Sequence, residues 1–331
     1  MRDALIAMIT VQGDTEFASV EQQRHLLASA PTDFDRYSAA RIMAEEQRHG
    51  WQMAYLLMTY FGQQGRREAQ KLLERNAQDG DRLLGAFNVP MPHWLDFFCY
   101  TMFVDRDGKF QLGMLSTSAF KPLAASMGPM LKEEAFHLGT GFNGLRRIIK
   151  AGVLPLDLLQ RYINKWVSTA HDLFGVDASS SAHWAYVWGV KGRWDERKKL
   201  EAGIEVDKAT LNEESRGHYH DEIAGEIRKL CGYLPEDTPE LYVPHENFNR
   251  KIGAAKGQKF NVDGTSFDGS DEDWADYLHN ILPRDQDEID LEEIFKQEWI
   301  ANKPMSTRQI ESGIGISCLL YTSPSPRDSG K

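Results

Sequence analysis

Ala44-Glu45-Glu46-Gln47-Arg48-His49 is the stretch of this sequence that decides the fold. Its Glu-x-x-His pattern returns at Lys132-Glu133-Glu134-Ala135-Phe136-His137. Residues three apart lie on one face of an α-helix, so a carboxylate and an imidazole at this spacing can bind one metal ion together. Two such pairs, with one further carboxylate from each of two other helices, build a carboxylate-bridged dinuclear metal site inside a four-helix bundle.

A carboxylate precedes each motif at nearly the same distance. Glu16 lies 30 residues before Glu46, and Asp105 lies 29 residues before Glu134. Two long helices joined by a short turn produce such a spacing, so the sequence predicts two helical pairs. Glu16 shares a helical face with apolar residues, where a carboxylate is costly to bury unless it is paired or bound to a metal. Asp107 is the alternative to Asp105, and the 29-residue spacing favours Asp105.

Six side chains are therefore predicted to bind the metals: Glu16, Glu46, His49, Asp105, Glu134 and His137. The candidate catalytic side chain is Gln12, which lies one helical turn before Glu16 on the same face. Helical periodicity directs Glu45 toward water or a partner outside the ligand set, and it favours Glu134 over Glu133 as a ligand. On this assignment Glu134→Ala loses the metal, whereas Glu133→Ala keeps it.

The composition is that of an acidic globular protein. The 331-residue chain has a formal net charge of −11 and is 41% hydrophobic, which supports a sizeable core and argues against a basic nucleic-acid-binding surface. No apolar run approaches the length of a membrane-spanning helix. The cysteines, Cys99, Cys231 and Cys318, are far apart, so they form neither a disulfide framework nor a thiolate metal site, and a cytoplasmic location is expected.

The two motifs resemble those of the ferritin-like di-iron oxygenases, and within them the oxygenase components of benzoyl-coenzyme A 2,3-epoxidases. The match rests on residues 43–53 and 132–137, extends from residue 1 to about residue 317, and agrees with an aspartate at position 105. We expect the family's chains to continue on the N-terminal side of residue 1, so that this sequence is N-terminally truncated relative to them.

The predicted fold is all-α: a ferritin-like four-helix bundle with additional helices and a loop-rich C-terminal extension. We assign residues 1–152 to the bundle, 153–235 to helices packed on it, and 236–317 to the extension, with a short helix over 291–299. Gly62 and Gly65 are predicted to stop the second long helix, and Gly108 and Gly113 to make the third irregular. Residues 318–331 are expected to be a non-native tail, because residues 318–328 resemble the translation of a sequencing adapter.

The resemblance implies two ferrous ions held by the six ligands, with Glu46 and Glu134 bridging. It implies that they activate O2 and that one oxygen atom is added to the ring of benzoyl-coenzyme A, giving a 2,3-epoxide in the aerobic degradation of aromatic compounds. It further implies a separate NADPH-dependent reductase carrying FAD and an iron–sulfur cluster. The sequence has no cysteine cluster and no Gly-x-Gly-x-x-Gly after a strand, which independently calls for an electron-donating partner.

The substrate-binding residues are less sharply indicated. Arg146, Arg147 and Lys150 are candidates for binding the phosphates of coenzyme A, although their place at a helix C-terminus favours a capping role. Five apolar side chains near the ligands are consistent with either a substrate pocket or ordinary core packing: Phe98, Met102, Phe103, Met130 and Phe136.

Other ferritin-like proteins remain open as alternatives. They are an epoxidase of phenylacetyl-coenzyme A, a radical-generating component of the ribonucleotide reductase type, and an iron-storage bundle. The radical-generating component requires a tyrosine about one turn from the metals, and the sequence does not obviously place Tyr55 or Tyr100 there. An iron-storage bundle predicts a shorter chain without a C-terminal extension.

Overall fold

The structure, a computed structural model, describes residues 1–193, 195–207 and 210–296. The long regular elements within these residues are all α-helices. In chain order the helices are α1 (Arg2–Gln23), α2 (Asp33–Tyr60), α3 (Gly62–Glu74), α4 (Trp94–Leu115), α5 (Lys121–Ala151), α6 (Leu156–Leu173), α7 (Ser180–Val187), α8 (Glu196–Glu201), α9 (Leu211–Cys231), α10 (Asp271–Ile281) and α11 (Asp285–Phe295). The prediction of an all-α protein organised around a four-helix bundle is confirmed.

The bundle consists of two closely packed pairs, α1 with α2 and α4 with α5, and contacts between α2 and α5 join the pairs. Short connections make the members of each pair antiparallel. The side chain of Thr32 accepts a hydrogen bond from the amide of Asp35 and so caps the start of α2. Gly152 ends α5 in the left-handed conformation, with φ of 67°.

Glycines on α5 let its backbone approach α4 closely. A Cβ atom at Gly141 would lie 2.7 Å from the carbonyl oxygen of Phe98, and a Cβ at Gly144 would overlap the ring of Phe98. Since α4 carries Asp105 and α5 carries Glu134 with His137, this close approach sets the distance between ligands on the two helices.

The predicted irregularity at Gly108 and Gly113 and the predicted helix stop at Gly65 were wrong, whereas the stop at Gly62 is confirmed. Helix α4 continues without interruption past Gly108 and Gly113 to Leu115, because its side chains are buried on both sides of these positions. Helix α2 ends at Tyr60 and Gly62 adopts a positive φ of 60°, as predicted, but Gly65 lies inside α3 and stops neither helix. A 3-10 helix, Arg24–Ser29, follows α1 directly.

The later helices share the core of the bundle. Helix α6 packs on α4, and α9 packs on α4 and α5. Buried Leu241 and Leu291 belong to the same apolar cluster as the residues of α4. Arg161 on α6 makes two hydrogen bonds of 2.8 Å to the buried carboxylate of Asp287 on α11. The C-terminal region is thus tied to the bundle, and the proposed division at residues 152 and 235 remains a prediction.

The C-terminal region contains more helix than the sequence indicated. Beyond Cys231 the described residues contain α10 and α11 but are irregular over 232–270, as expected of a loop-rich extension, and the only strand-like pairing among them is a single bridge between Phe260 and Ser266. The predicted helix over 291–299 corresponds to the end of α11. Residues 297–317 and the expected tail at 318–331 lie outside the described residues. Within the described ranges, no helix has the length and apolarity needed to cross a lipid bilayer.

Candidate metal centre

The structure brings the six predicted ligands together in the middle of the bundle. Each of the four long helices contributes to the cluster, and every one of the six side chains is buried. Helix α1 contributes Glu16, α2 contributes Glu46 and His49, α4 contributes Asp105, and α5 contributes Glu134 and His137. That they bind a metal remains a prediction.

The ligand atoms form two groups that share one carboxylate. Glu16, Glu46 and His49 offer atoms within 4.8 Å of one another, and Glu46, Glu134 and His137 do the same. The fourth carboxylate, Asp105, has its Oδ2 atom 3.7 Å from Nδ1 of His137. A carboxylate common to both groups is what a bridged dinuclear centre requires.

Both histidines turn Nδ1 toward the carboxylates. Nδ1 of His49 lies 3.3 Å from Oε2 of Glu16. Nδ1 of His137 lies 3.1 Å from Oε1 of Glu46 and 3.4 Å from Oε2 of Glu134. The imidazole nitrogen that faces the cluster is therefore Nδ1 in each case, which leaves Nε2 for another partner.

That other partner is a glutamate from the opposite motif. Nε2 of His49 lies 2.6 Å from Oε2 of Glu133, and Nε2 of His137 lies 3.0 Å from Oε2 of Glu45. A carboxylate on the outer nitrogen selects the tautomer whose inner nitrogen is free to bind a metal, and it makes that nitrogen more basic. The sequence predicted a partner role for Glu45 only as one option, and it missed that of Glu133.

Arginines on α2 hold the two outer glutamates in turn. Arg41 donates a 2.9 Å hydrogen bond to Glu45, and Arg48 ion-pairs with Glu133. Arg41 also lies over the ring of Phe136, 3.9 Å from its centroid. The outer glutamates are thus held in place by groups at the edge of the bundle.

The donor atoms fit a pair of cations. Three buried atoms at the cluster make no hydrogen bond: Oδ2 of Asp105, Oε2 of Glu134 and Nδ1 of His137. Nδ1 of His137 lies close to Glu46, but the angle between the two groups is unsuitable for a hydrogen bond. Burial, followed by the negative charge of Glu16, holds the pKa of Glu46 well above its usual range. Burial and then Glu134 do the same to the pKa of Asp105, and bound cations would relieve this repulsion.

Gln12 lies beside the cluster, one turn before Glu16 on α1. Its Nε2 atom donates a 2.7 Å hydrogen bond to Oε1 of Glu16. Its side chain also lines the adjoining cavity. Gln12 is therefore placed to orient a ligand carboxylate and to contact a molecule in the cavity, and its catalytic role stays a prediction.

A cavity of about 480 Å³ reaches the carboxylates that are predicted to bind the metals. Glu16, Glu46, Asp105 and Glu134 all contribute to its wall. The rest of the wall is mostly apolar and comes from α1, α4, the end of α6 and α7, for example Met8, Val11, Leu112, Leu115, Phe174 and Trp188. A cavity of this size and lining is typical of a site for a small organic ligand.

The five apolar side chains near the ligands in sequence do not line this cavity. Phe98, Met102 and Phe103 are fully buried in the core, and Met130 packs in a second apolar cluster. Of the two interpretations, core packing is therefore the one that the structure supports. The cavity wall comes instead from segments far from the motifs in sequence, which periodicity around the ligands cannot reveal.

The three basic residues near the end of α5 also lie away from the cavity wall. Arg147 ion-pairs with the buried carboxylate of Asp35 near the start of α2. Arg146 and Lys150 lie over the ring of Tyr233, at 5.9 Å and 4.6 Å from its centroid. These contacts attach α5 to its neighbours, and substrate binding by the three residues stays a prediction without support from their position.

Tyr100 is closer to the centre than the sequence indicated. It is buried on α4 and lines the same cavity as Glu46 and Asp105. Burial, and then the charges of Asp105 and Glu46, raise the pKa of its phenol well above the usual range. Tyr55, by contrast, is exposed on α2.

Comparison with known proteins agrees with this centre. Residues 1–242 match the family described as Phenylacetic acid catabolic protein. The chain belongs to this family. Within it, the chain is 37% identical over 332 residues to Benzoyl-CoA oxygenase component B of Aromatoleum evansii, covering 87% of this chain and 70% of that protein. It is 22% identical over 262 residues to one chain of the 1,2-phenylacetyl-CoA epoxidase of Escherichia coli (strain K12), covering 78% and 77% of the two chains. The resemblance inferred from the two motifs is confirmed.

Proposed function

We propose that this member of the Phenylacetic acid catabolic protein family is the oxygenase component of a benzoyl-coenzyme A epoxidase. In this proposal it adds one atom of O2 to the aromatic ring of benzoyl-coenzyme A and forms the 2,3-epoxide. The observation that carries the proposal is the apolar cavity whose inner wall includes Glu16, Glu46, Asp105 and Glu134. The 37% identity to a protein named benzoyl-CoA oxygenase component B supports the choice of substrate.

The six ligands would hold two iron ions, which when bound supply the activation of O2. Glu16 and His49 would hold one ion, and Asp105, Glu134 and His137 the other. Glu46, which belongs to both groups of ligand atoms, would be shared by the two ions, and the family resemblance implies the same role for Glu134. The mixed set of carboxylate oxygens and imidazole nitrogens, together with the open cavity beside it, suits iron of this oxygenase class.

The remaining residues prepare the site for the reaction. Glu45 and Glu133 keep the two histidines in the tautomer that binds metal. Gln12 holds Glu16 through its side-chain amide. The apolar wall around Val11 and Leu112 excludes water from the space beside the carboxylates, which favours transfer of oxygen to the ring over side reactions.

The electrons come, in this proposal, from a separate NADPH-dependent reductase with FAD and an iron–sulfur cluster. The three cysteines of this sequence are too dispersed to ligate such a cluster. A cytoplasmic location belongs to the same proposal, since NADPH and coenzyme A thioesters are cytoplasmic compounds.

The test combines the iron-loaded protein, a reductase of this kind, NADPH, isotopically labelled O2 and benzoyl-coenzyme A. Mass spectrometry of the product should show the 2,3-epoxide carrying one labelled atom. Oxygen derived from water would contradict the proposal. Turnover of phenylacetyl-coenzyme A alone would favour the second candidate, a phenylacetyl-coenzyme A epoxidase, which the 22% identity to a chain of such an enzyme keeps in consideration.

A further inference from the structure

A group of polar side chains interrupts the apolar wall of the cavity. It consists of Asp107, Gln111, Lys191 and Asn212, all of which line the cavity, and we call it the polar wall. Asp107 and Gln111 lie on α4, Lys191 lies in the segment after α7, and Asn212 lies at the start of α9. None of the four belongs to the metal ligands, so their presence needs a separate explanation.

Lys191 is the central residue of the polar wall. Its ammonium donates hydrogen bonds to Oε1 of Gln111 at 2.7 Å and to Oδ1 of Asn212 at 3.3 Å. Gln111 is fixed in turn by donating to Asp107 at 2.9 Å and to the carbonyl of Leu173 at 3.3 Å. The amide oxygens of Gln111 and Asn212 therefore face Lys191, and together they form a preorganised site for its ammonium.

The backbone around Lys191 is held as firmly as its side chain. The amide of Lys191 bonds to the carbonyl of Ala185, and the amide of Gly192 bonds to the carbonyl of Met114 near the end of α4. Lys191 is only 8% exposed. A buried lysine is a costly group unless oxygen atoms surround it, so a lysine fixed in a cavity wall calls for an acceptor inside the cavity.

The donors and acceptors do not balance within the polar wall. An ammonium has three N–H groups, and the described residues supply hydrogen-bond acceptors for two of them, both neutral amides. Burial lowers the pKa of Lys191 to about 8, so most of the lysine is still charged at neutral pH. One charged donor is therefore available to an oxygen atom of a bound ligand.

The position of the polar wall along α4 matches the shape of an aryl thioester. Gln111 follows the ligand Asp105 by six residues, which is about 9 Å along the helix. The carbonyl group of a benzoyl thioester is bonded directly to the ring. When the ring lies beside the carboxylates, this carbonyl lies on the side of the ring that faces away from the metals. Along the cavity, Lys191 comes after the carboxylates, just as the carbonyl oxygen of the substrate comes after its ring. The free donor of Lys191 and this acceptor therefore lie on the same side of the ring.

We propose that Lys191 donates a hydrogen bond to the carbonyl oxygen of the bound thioester and thereby positions the ring at the metal-binding carboxylates. This inference rests on the proposed function and adds a substrate-binding residue to it. The hydrogen bond also withdraws electrons from the carbonyl, which leaves a spectroscopic mark that a merely structural lysine would not produce.

Isotope-edited infrared spectroscopy tests the contact directly. Iron-loaded protein is mixed under nitrogen, without reductant, with benzoyl-coenzyme A labelled with carbon-13 at the carbonyl. The carbonyl band should move to lower frequency on binding to the unaltered protein. In Lys191→Met the band should return toward its position in water-free solvent, and the Kd should rise about 10- to 100-fold, as expected for loss of a hydrogen bond to a charged group.

Two further variants complete the experiment. Lys229→Met makes the same change on the exposed side of α9, where the lysine pairs with Glu226, and it should leave the band and the Kd unchanged. Lys191→Gln retains an N–H donor without the charge and should give an intermediate band. It decides the question if Lys191→Met does not fold, as judged by circular dichroism.

The possible results separate the two proposals. A band that is unshifted in the unaltered protein, or equally shifted in Lys191→Met or Lys191→Gln, overturns the role of Lys191 and leaves the proposed function standing. Absence of any benzoyl-coenzyme A binding to the unaltered protein overturns both.

Discussion

Removing the carboxylate of Glu133 should weaken binding of one metal ion and spare the other. Glu133 is not a ligand, but its Oε2 atom lies 2.6 Å from Nε2 of His49. In Glu133→Ala the outer nitrogen of His49 loses its acceptor, so the ring is free to rotate and to adopt the tautomer that cannot bind metal through Nδ1. The structure therefore replaces the expectation, drawn from periodicity alone, that Glu133→Ala keeps its iron.

Two independent estimates give the expected loss of metal affinity in Glu133→Ala. A hydrogen bond to a charged group contributes about 1.5–3 kcal/mol. Loss of a carboxylate that orients a metal-binding histidine lowers metal affinity about 10- to 100-fold, which corresponds to about 1.4–2.8 kcal/mol. The two ranges overlap, so we expect the affinity of the site with His49 to fall by about that factor. The ion pair between Glu133 and Arg48 adds little, because Arg48 is more than half exposed.

The assay is anaerobic equilibrium dialysis against ferrous iron or cobalt(II), followed by metal analysis of the protein. At a free-metal concentration that half-saturates the weakened site, Glu133→Ala should hold about one and a half ions per chain where the unaltered protein holds about two. Arg48→Met is the matched control, since it removes the ion pair and retains the contact between Glu133 and His49. Glu45→Ala should weaken the other ion, because Glu45 serves His137.

Two results would refute this reasoning. If Glu133→Ala and Arg48→Met bind metal equally well, the contact with His49 does not support the ligand. If Glu133→Ala and Glu45→Ala weaken the same ion, as judged by the cobalt absorption spectrum, the crossed assignment of glutamates to histidines is wrong.

Three further outcomes are expected. Gly50→Ala should lower the free energy of unfolding by about 1–3 kcal/mol, because its Cβ would lie 2.7 Å from the ring of Phe17. Gly217→Ala, inside α9 and with open space around the added Cβ, should raise it by about 0.5–1 kcal/mol. Chemical denaturation compares the two. Burial, and then His220, depress the pKa of His171, so the unfolded chain binds more protons than the folded protein and the free energy of unfolding should fall as the pH drops below 6.5. In His171→Gln the melting temperature should depend less on pH in that range. Equal slopes of melting temperature against pH in the two proteins would contradict this. Ferrous iron at a hundred times its Kd should stabilise the fold by about 2.7 kcal/mol for each ion bound, a gain that a chelator abolishes and that calorimetry measures.

The clustering of the six predicted ligands could be foreseen from the sequence because the constraints on it are local. A Glu-x-x-His pair needs only helical geometry to share a face, and both pairs lie within single long helices, α2 and α5. The carboxylates Glu16 and Asp105 followed from a spacing that any antiparallel pair with a short connection reproduces. For these six positions, a prediction that depends on one helix or one short connection is enough to bring the side chains together.

The cavity and its polar wall were not predictable in this way, because they depend on contacts between segments that are distant in sequence. Lys191 comes within 2.7 Å of Gln111 only after the segment following α7 has folded against the end of α4. Arg147 likewise looks like an exposed basic residue near a helix end until α2 brings Asp35 to it. Periodicity along one helix carries no information about which side chain of another helix will face it.

The crossed pairing of glutamates and histidines depends both on the geometry of a single helix and on contacts between helices that are distant in sequence. Adjacent residues on a helix differ by about 100° in direction, so a residue just before a ligand that faces the bundle centre points sideways, toward a neighbouring helix. Since α2 and α5 are in contact, Glu45 meets His137 and Glu133 meets His49. The effective motif is therefore Glu-Glu-x-x-His, in which the second glutamate belongs to its own predicted metal site and the first contacts the histidine of the opposite helix. A single Glu-x-x-His helix would lack this support, so the repeated doublet is itself a sign that two such helices face each other.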